Sequence, residues 1–253
     1  MPEPHDIDHV LRDWPYQPGV IGARLVRAQD GREVLQMRLE MGLLQMETGG
    51  RPDGERPEGA ETYLDYLILQ SLGGDDSFVL TREQCFEVDR EFLQFYQRRI
   101  CFLALREFRP ALEDADHTLT LMDFVVRHSP DPQWTASHEQ YRPFVLFHRT
   151  QAAAMTELQR TGPEAAIEEI NRGLQRICEV FQAADAEEEF EGHELVSQLN
   201  EMKETLRAEF DVGQTLVEQL ADAVAAEEYE LAARLRDEIA RLREEIARRA
   251  RRR

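Results

Sequence analysis

Little in this chain belongs to the chemistry of metals, disulfides or membranes, and each shortage narrows what it can be. Its three cysteines, Cys85, Cys101 and Cys178, lie far apart in apolar helical patterns, and no CxxC pair exists. The missing pairs argue against a thiolate zinc site, and an odd, sparse count fits buried thiols in a reducing compartment better than disulfides. No apolar run approaches the length needed to cross a bilayer, and the N-terminal residues lack a basic-then-apolar leader, so the expected location is the cytoplasm. His117, His128, His138 and His148 stand in or beside helical stretches with no ligand spacing such as HExxH, and read as surface or core-edge residues. His5 and His9, with Asp6 and Asp8 between them, lie in a terminal arm too loose to hold a metal geometry. Neither a dinucleotide fingerprint nor a phosphate-loop motif occurs. With no nucleophile–base pair or metal set to carry a reaction, the expectation is a non-enzyme without cofactor, metal or catalytic residues.

Basic residues are also in short supply, at 30 against 50 acidic ones, for a net charge of −20. That balance opposes general affinity for nucleic-acid phosphates and anionic membranes. The deficit is uneven: residues 241–253 hold seven Arg and two Glu, or +5, leaving −25 on residues 1–240. This Arg-rich tail is the one feature that speaks for nucleic acid, though it is equally able to fold back on acidic helices. At 42% hydrophobic residues there is material for a core, and 32% charged residues give a heavily solvated surface.

The order of the chain predicts a mainly α protein with a small N-terminal β-hairpin or sheet, antiparallel helix pairs in the middle and a C-terminal helical hairpin. Residues 1–76 form the first part. An extended Pro-rich arm to residue 19 carries Trp14 and Tyr16, aromatics suited to docking on the domain behind the arm. Val20–Val26, the turn dipeptide Asp30-Gly31 and the alternation Leu35, Met37, Leu39, Met41, Leu43 predict a β-hairpin, with a helix as the rival for residues 33–48. The Gly- and Pro-rich stretch from Gly49 to Gly59 reads as a pair of tight turns. Its other reading is an anion cradle built on Arg51 and Arg56. A helix comes next, from Glu61 to Leu72, ended by Gly73-Gly74-Asp75-Asp76.

Residues 77–184 are helical. Thr81 and Gln84 form a capping box for a helix to about Arg106, and Pro110 suits the first turn of a second helix from Ala111 to about Arg127. Tyr141–Gln159 and Glu164–Phe181 make a second pair. Ala111 and Ala166 come after equivalent turns, and Gly173-Leu174 occupies a later small-then-Leu position. These residues resemble the tetratricopeptide repeat, with residues 131–140 as an insertion; an unrelated α-bundle is the alternative. Residues 185–212 hold an acidic connector, Asp185–Glu194, and a helix striped by Leu195, Leu199, Met202 and Leu206.

Residues 213–253 are the most specific stretch. Thr215 and Glu218 form another capping box. Leu216, Leu220, Ala223 and Val224 make one stripe; Tyr229, Ala232, Ala233, Leu235, Ile239 and Leu242 make another, after a break at Glu227-Glu228. Small residues at 223, 232 and 233 allow two helices to approach closely as a hairpin. A hairpin so short cannot cover both apolar faces by itself. The pattern Leu220, Ala223, Tyr229-Glu230, Ala232-Ala233, Leu235-Arg236-Asp237, Ile239 and Leu242 resembles the UVR motif of the bacterial excision-repair helicase and nuclease subunits. The motif also occurs in the activator of protein arginine kinase and in some Clp-type unfoldases. That family pairs its hairpin with another, giving a small four-helix bundle. The resemblance therefore implies a bacterial protein–protein adaptor, with a UVR-bearing protein or a second copy as partner, or else association with a repair complex or nucleic acid. It places partner-binding residues at Leu216, Leu220, Ala223, Tyr229, Ala232, Ala233, Leu235, Arg236, Asp237, Ile239 and Leu242. The charged pair Arg236 and Asp237 would set register.

Overall fold

Asp30-Gly31 reverses the chain: Gly31 adopts φ +90°, open only to a residue without a side chain's constraint, and its N–H donates to the Ala28 carbonyl at 3.0 Å. In the computed structural model, which describes residues 6–73 and 78–250 with side chains through residue 242, this turn joins β1 (Gly22–Arg27) to β2 (Glu33–Leu39). The two strands are antiparallel, with Leu25 opposite Leu35. The alternation predicts one strand continuing to Leu43, but the chain turns again at Glu40-Met41. β3 (Gly42–Glu47) then pairs back on β2 with Leu35 opposite Met46, so the hairpin becomes a three-stranded meander. Met41 sits at the tip of this second turn, 89% exposed. An apolar residue there continues the period of two, so the pattern conceals the reversal.

One face of the sheet presents Ala23, Leu25, Leu35, Met37 and Met46 to Cys101, Phe102 and Ala111 of the helices behind it. The N-terminal arm packs on part of the other face, at Arg24 and Arg38. That arm is not fully extended; it contains a short helix, α1 (Asp8–Asp13), which delivers Trp14 to the sheet. The Arg24 guanidinium lies 4.2 Å from the Trp14 ring centroid, and Arg38 Nε donates to the Trp14 carbonyl at 2.7 Å. Arg38, a polar partner in the alternation, is therefore buried under the arm.

The chain divides into two compact units, Met1–Ala153 and Ala154–Arg253. In the first, α2 (Tyr63–Gly73), α3 (Arg82–Ala104) and α4 (Phe108–His128) join the sheet. Of the expected stop Gly73-Gly74-Asp75-Asp76, Gly73 ends α2 and residues 74–76 lie outside the described residues. Thr81 caps α3 as predicted: its hydroxyl accepts from Gln84 N–H, and the Gln84 side chain accepts from Thr81 N–H. Leu64 and Leu67 of α2 meet Val88 of α3 and Leu121 and Val125 of α4 in one core. The expected insertion holds a two-turn helix, α5 (Pro132–Glu139), capped by the Asp131 carboxylate. α6 (Arg142–Arg160) begins in this unit.

In the second unit α7 (Pro163–Ala183) packs chiefly on α9 (Glu194–Phe210), with α8 (Glu187–Phe190) in the acidic connector between them. Ala111 in the first unit and Ala166 in the second are both fully buried. The C-terminal hairpin is α10 (Leu216–Ala225) and α11 (Tyr229–Ala250). None of the helices is long and apolar enough to cross a membrane, among the described residues.

Candidate interaction site

The C-terminal hairpin starts from a cap that also fastens it. Thr215 Oγ1 accepts from Glu218 N–H at 3.3 Å, and Thr215 N–H donates to Glu218 Oε2 at 2.8 Å. Glu218 Oε1 also takes hydrogen bonds from Asn171 Nδ2 of α7, at 2.8 Å, and from Arg207 Nη2 of α9. Burial pushes the Glu218 carboxyl up, but these donors outweigh it and hold the group below the usual carboxylate range. One side chain thus closes the cap and links three helices.

The far end of α10 closes in a Schellman turn. Glu228 N–H donates to the Ala223 carbonyl at 2.8 Å and Glu227 N–H to that of Val224 at 3.1 Å. Glu227 takes φ +59° to allow it, a conformation costing about 1 kcal/mol for a residue with a Cβ. Between the helices, Ala223, Ala232 and Leu235 are buried with Leu216 and Leu220 packed against them. Alanine on both sides is what lets the helices approach this closely.

The residues singled out by sequence therefore separate. Leu216, Leu220, Ala223, Ala232 and Leu235 build the seam inside the hairpin. Tyr229, Ala233, Arg236 and Asp237 lie on the exposed side, and the last two pair with each other, Nη2 to Oδ1 at 2.9 Å. Ile239 and Leu242, with Leu216, line an open cavity of about 640 Å³ walled by residues 161–165 and 210–215. Tyr229 is 68% exposed and Leu242 44%. Two apolar residues outside the expected contact set are also exposed, Val224 at 53% and Leu231 at 36%. Val224 is legible as part of the α10 stripe, and Leu231, four residues before Leu235, fits the helical spacing of α11. Beyond Leu242, the Arg-rich tail lies outside the residues whose side chains are described.

The other candidates resolve into structure. Tight turns form at both places expected in the Gly–Pro loop: Gly54 N–H donates to the Arg51 carbonyl and Gly59 N–H to that of Arg56. The anion-cradle reading loses its main cation, because Arg51 is 2% exposed and surrounded by carboxylates. Those belong to Glu87 at 2.7 Å, Asp53 at 3.3 Å, and Glu55 and Glu91 at 3.7 Å. Glu91 is itself fully buried and accepts from the Tyr63 and Leu64 amides, satisfying the start of α2.

Two of the four helical histidines, His138 and His148, are deeper than the sequence suggests, while His117 and His128 are half-buried at the core edge as expected. His138 and His148 are buried, His117 stacks on Phe95 at 3.7 Å, and His128 Nδ1 lies 3.0 Å from the Phe78 carbonyl. Each has a polar partner, which helical spacing alone does not reveal: Glu91 for His117, the Phe78 carbonyl for His128, Asp89 for His138 and Arg99 for His148. The Cys101 thiol is buried, and that burial pushes it up to about 12, far from a reactive thiolate.

A self-capped helical hairpin, closed by small residues and carrying exposed apolar side chains, belongs to the class of helical interaction modules. Residues 214–245 match the family model described as the UvrB/uvrC motif, UVR. The chain thus carries a UVR motif, a module that takes part in protein interactions. Comparisons with curated proteins and with solved structures found no match.

Proposed function

We propose that this protein is a non-enzymatic adaptor that pairs its C-terminal hairpin with a second UVR-type hairpin, on another protein or on a second copy of itself. The observation that supports this most is the exposure of Val224, Tyr229, Leu231 and Leu242 on a hairpin whose own seam buries little beyond Ala223, Ala232 and Leu235. Packing a second hairpin against these side chains removes apolar surface from water and yields a four-helix bundle. A body of charge −25 favours a protein over a polyphosphate as partner. In this reading the protein works in the cytoplasm, and the helices before the hairpin, including the repeat-like pair α3 and α4, serve as scaffold.

The test uses the exposed residues, since Leu220 and Leu235 hold the hairpin together. Val224→Asp with Tyr229→Asp should leave the circular dichroism spectrum unchanged. Binding to an isolated UVR hairpin peptide, and self-association measured by light scattering, should both weaken by about 100-fold, as expected for two contacts of ~1–2 kcal/mol each. Unchanged pairing by the folded double variant would dismiss the adaptor reading.

A further inference from the structure

The first unit holds a second cavity unrelated to the hairpin. It has a volume of about 580 Å³ and is lined by Phe92, Leu93, Tyr96 and Arg99 of α3, by Tyr141, and by Phe144 and Val145 of α6. Two tilted aromatic pairs line it, Phe92 with Tyr141 and Tyr96 with Phe144, each with ring centroids 6.1 Å apart. Leu93 and Tyr141 are half exposed at its rim, while Val145 is buried. The walls are apolar, and the one charge among them is the Arg99 guanidinium.

Arg99 is 1% exposed, yet no carboxylate among the described residues lies within ion-pair distance of it. Its Nη1 donates to Thr118 Oγ1 at 2.9 Å and its Nε to His148 Nδ1 at 3.3 Å. Both acceptors are neutral. Burial, and after it the Arg99 charge, pushes His148 down to about 3, so the imidazole stays uncharged at neutral pH. Asp114, the carboxylate that attracts Arg99 electrostatically, is held by Arg98 through Nε at 3.0 Å and Nη2 at 2.6 Å. Two buried guanidiniums therefore share one carboxylate, and Nη2 of Arg99 has no hydrogen-bond partner among the described residues. Burial lowers Arg99 to about 10, which leaves it protonated at neutral pH. A desolvated cation with a free donor beside an aromatic cleft is complementary to an anion with an apolar body.

We propose that this cavity binds a small aromatic monocarboxylate, its ring against the pairs Phe92–Tyr141 and Tyr96–Phe144 that line the cavity and its carboxylate on Arg99. One surplus positive charge matches one carboxylate; a phosphate dianion would bring more charge than the single guanidinium compensates. The volume is that of an ordinary small-molecule site.

Naphthoate and its neutral isostere naphthamide test this on the full chain. Calorimetric titration should give saturable one-to-one binding of naphthoate, with naphthamide weaker by about ten-fold for loss of a charge-assisted hydrogen bond. Leu93→Trp, placed at the exposed rim where folding is undisturbed, fills the mouth and should weaken naphthoate by about ten-fold or more. Arg99→Met should abolish the preference for acid over amide; if that variant does not fold, the amide comparison and Leu93→Trp decide the matter. Absence of saturable naphthoate binding, equal affinity for acid and amide, or unchanged binding by Leu93→Trp would each overturn the proposal. So would tighter binding of a peptide ending in a free phenylalanine carboxylate, which would make the occupant a chain terminus.

Discussion

His148 accepts a hydrogen bond from a buried guanidinium, so protonating it places two cations side by side in a medium that solvates neither. Burial and the Arg99 charge together hold its titration near pH 3, well below the ordinary histidine value. Between about pH 6.5 and pH 3 the unfolded chain binds a proton at this site that the native chain refuses, so stability falls as pH falls. From pH 6.5 to pH 5 the loss from this residue alone is about 2 kcal/mol. Replacing the ring by a neutral acceptor, His148→Asn, should remove that portion of the acid sensitivity. Urea midpoints for both proteins at pH 7 and pH 5 check it: the wild type should lose more than the variant by roughly that amount, and equal losses would count against a neutral, buried His148. No feature of the sequence announces this residue, because a histidine on a helical stripe looks the same whether it faces solvent or a guanidinium.

At the scale of elements, the parts written locally are legible in the sequence and the parts made by distant partners are not. Thr81 with Gln84 and Thr215 with Glu218 are readable as capping boxes because their hydrogen bonds close within three residues. Asp30-Gly31 is readable because the dipeptide itself supplies the turn. The turn at Glu40-Met41 is hidden by an apolar residue at its tip. The link from Glu218 to Asn171 and Arg207 is invisible because it spans 47 and 11 residues. Of the interaction site, the seam and the exposed Tyr229 come from periodicity. The assignment of each residue to seam or surface does not, since 3.6-residue spacing defines a stripe without saying what covers it. The capping box gives a direct test of how α10 is secured. Thr215→Ala removes the side-chain acceptor for the Glu218 amide and should cost about 1 kcal/mol. Because the loss is local, amides of Leu216–Ala225 should exchange about five-fold faster while those of α3 and α4 keep their protection. Uniform acceleration throughout the chain would show that the cap stabilises more than its own helix.

Over the whole molecule, the dominant fact is charge. Fifty acidic residues face 30 basic ones, and 241–253 account for +5 of the balance, so everything before that segment carries −25. Of the buried arginines, all but Arg99 are committed to anionic or carbonyl partners within the fold: Arg51 among four carboxylates, Arg98 to Asp114, Arg38 to the carbonyls of Trp14 and Gly42. They fix local structure and do little to dilute a negative surface. Salt acts oppositely on two populations of charge. It weakens exposed ion pairs such as Arg109–Glu113 and Arg236–Asp237, each worth at most about 1 kcal/mol, and it screens repulsion among the uncompensated carboxylates. With 20 more acids than bases, and with the strongest pairs buried beyond the reach of salt, the second effect should win. Raising sodium chloride from about 20 to about 200 mM at pH 7 shortens the screening length from roughly 20 Å to under 10 Å, less than the spacing of most surface charges across a helix pair. The melting temperature should therefore rise by a few degrees, each kcal/mol appearing as about 2–4 °C in a chain of this size. Calorimetry across that salt series decides it: a melting temperature that falls with salt would mean that exposed ion pairs, and not self-repulsion, control the stability of this acidic chain.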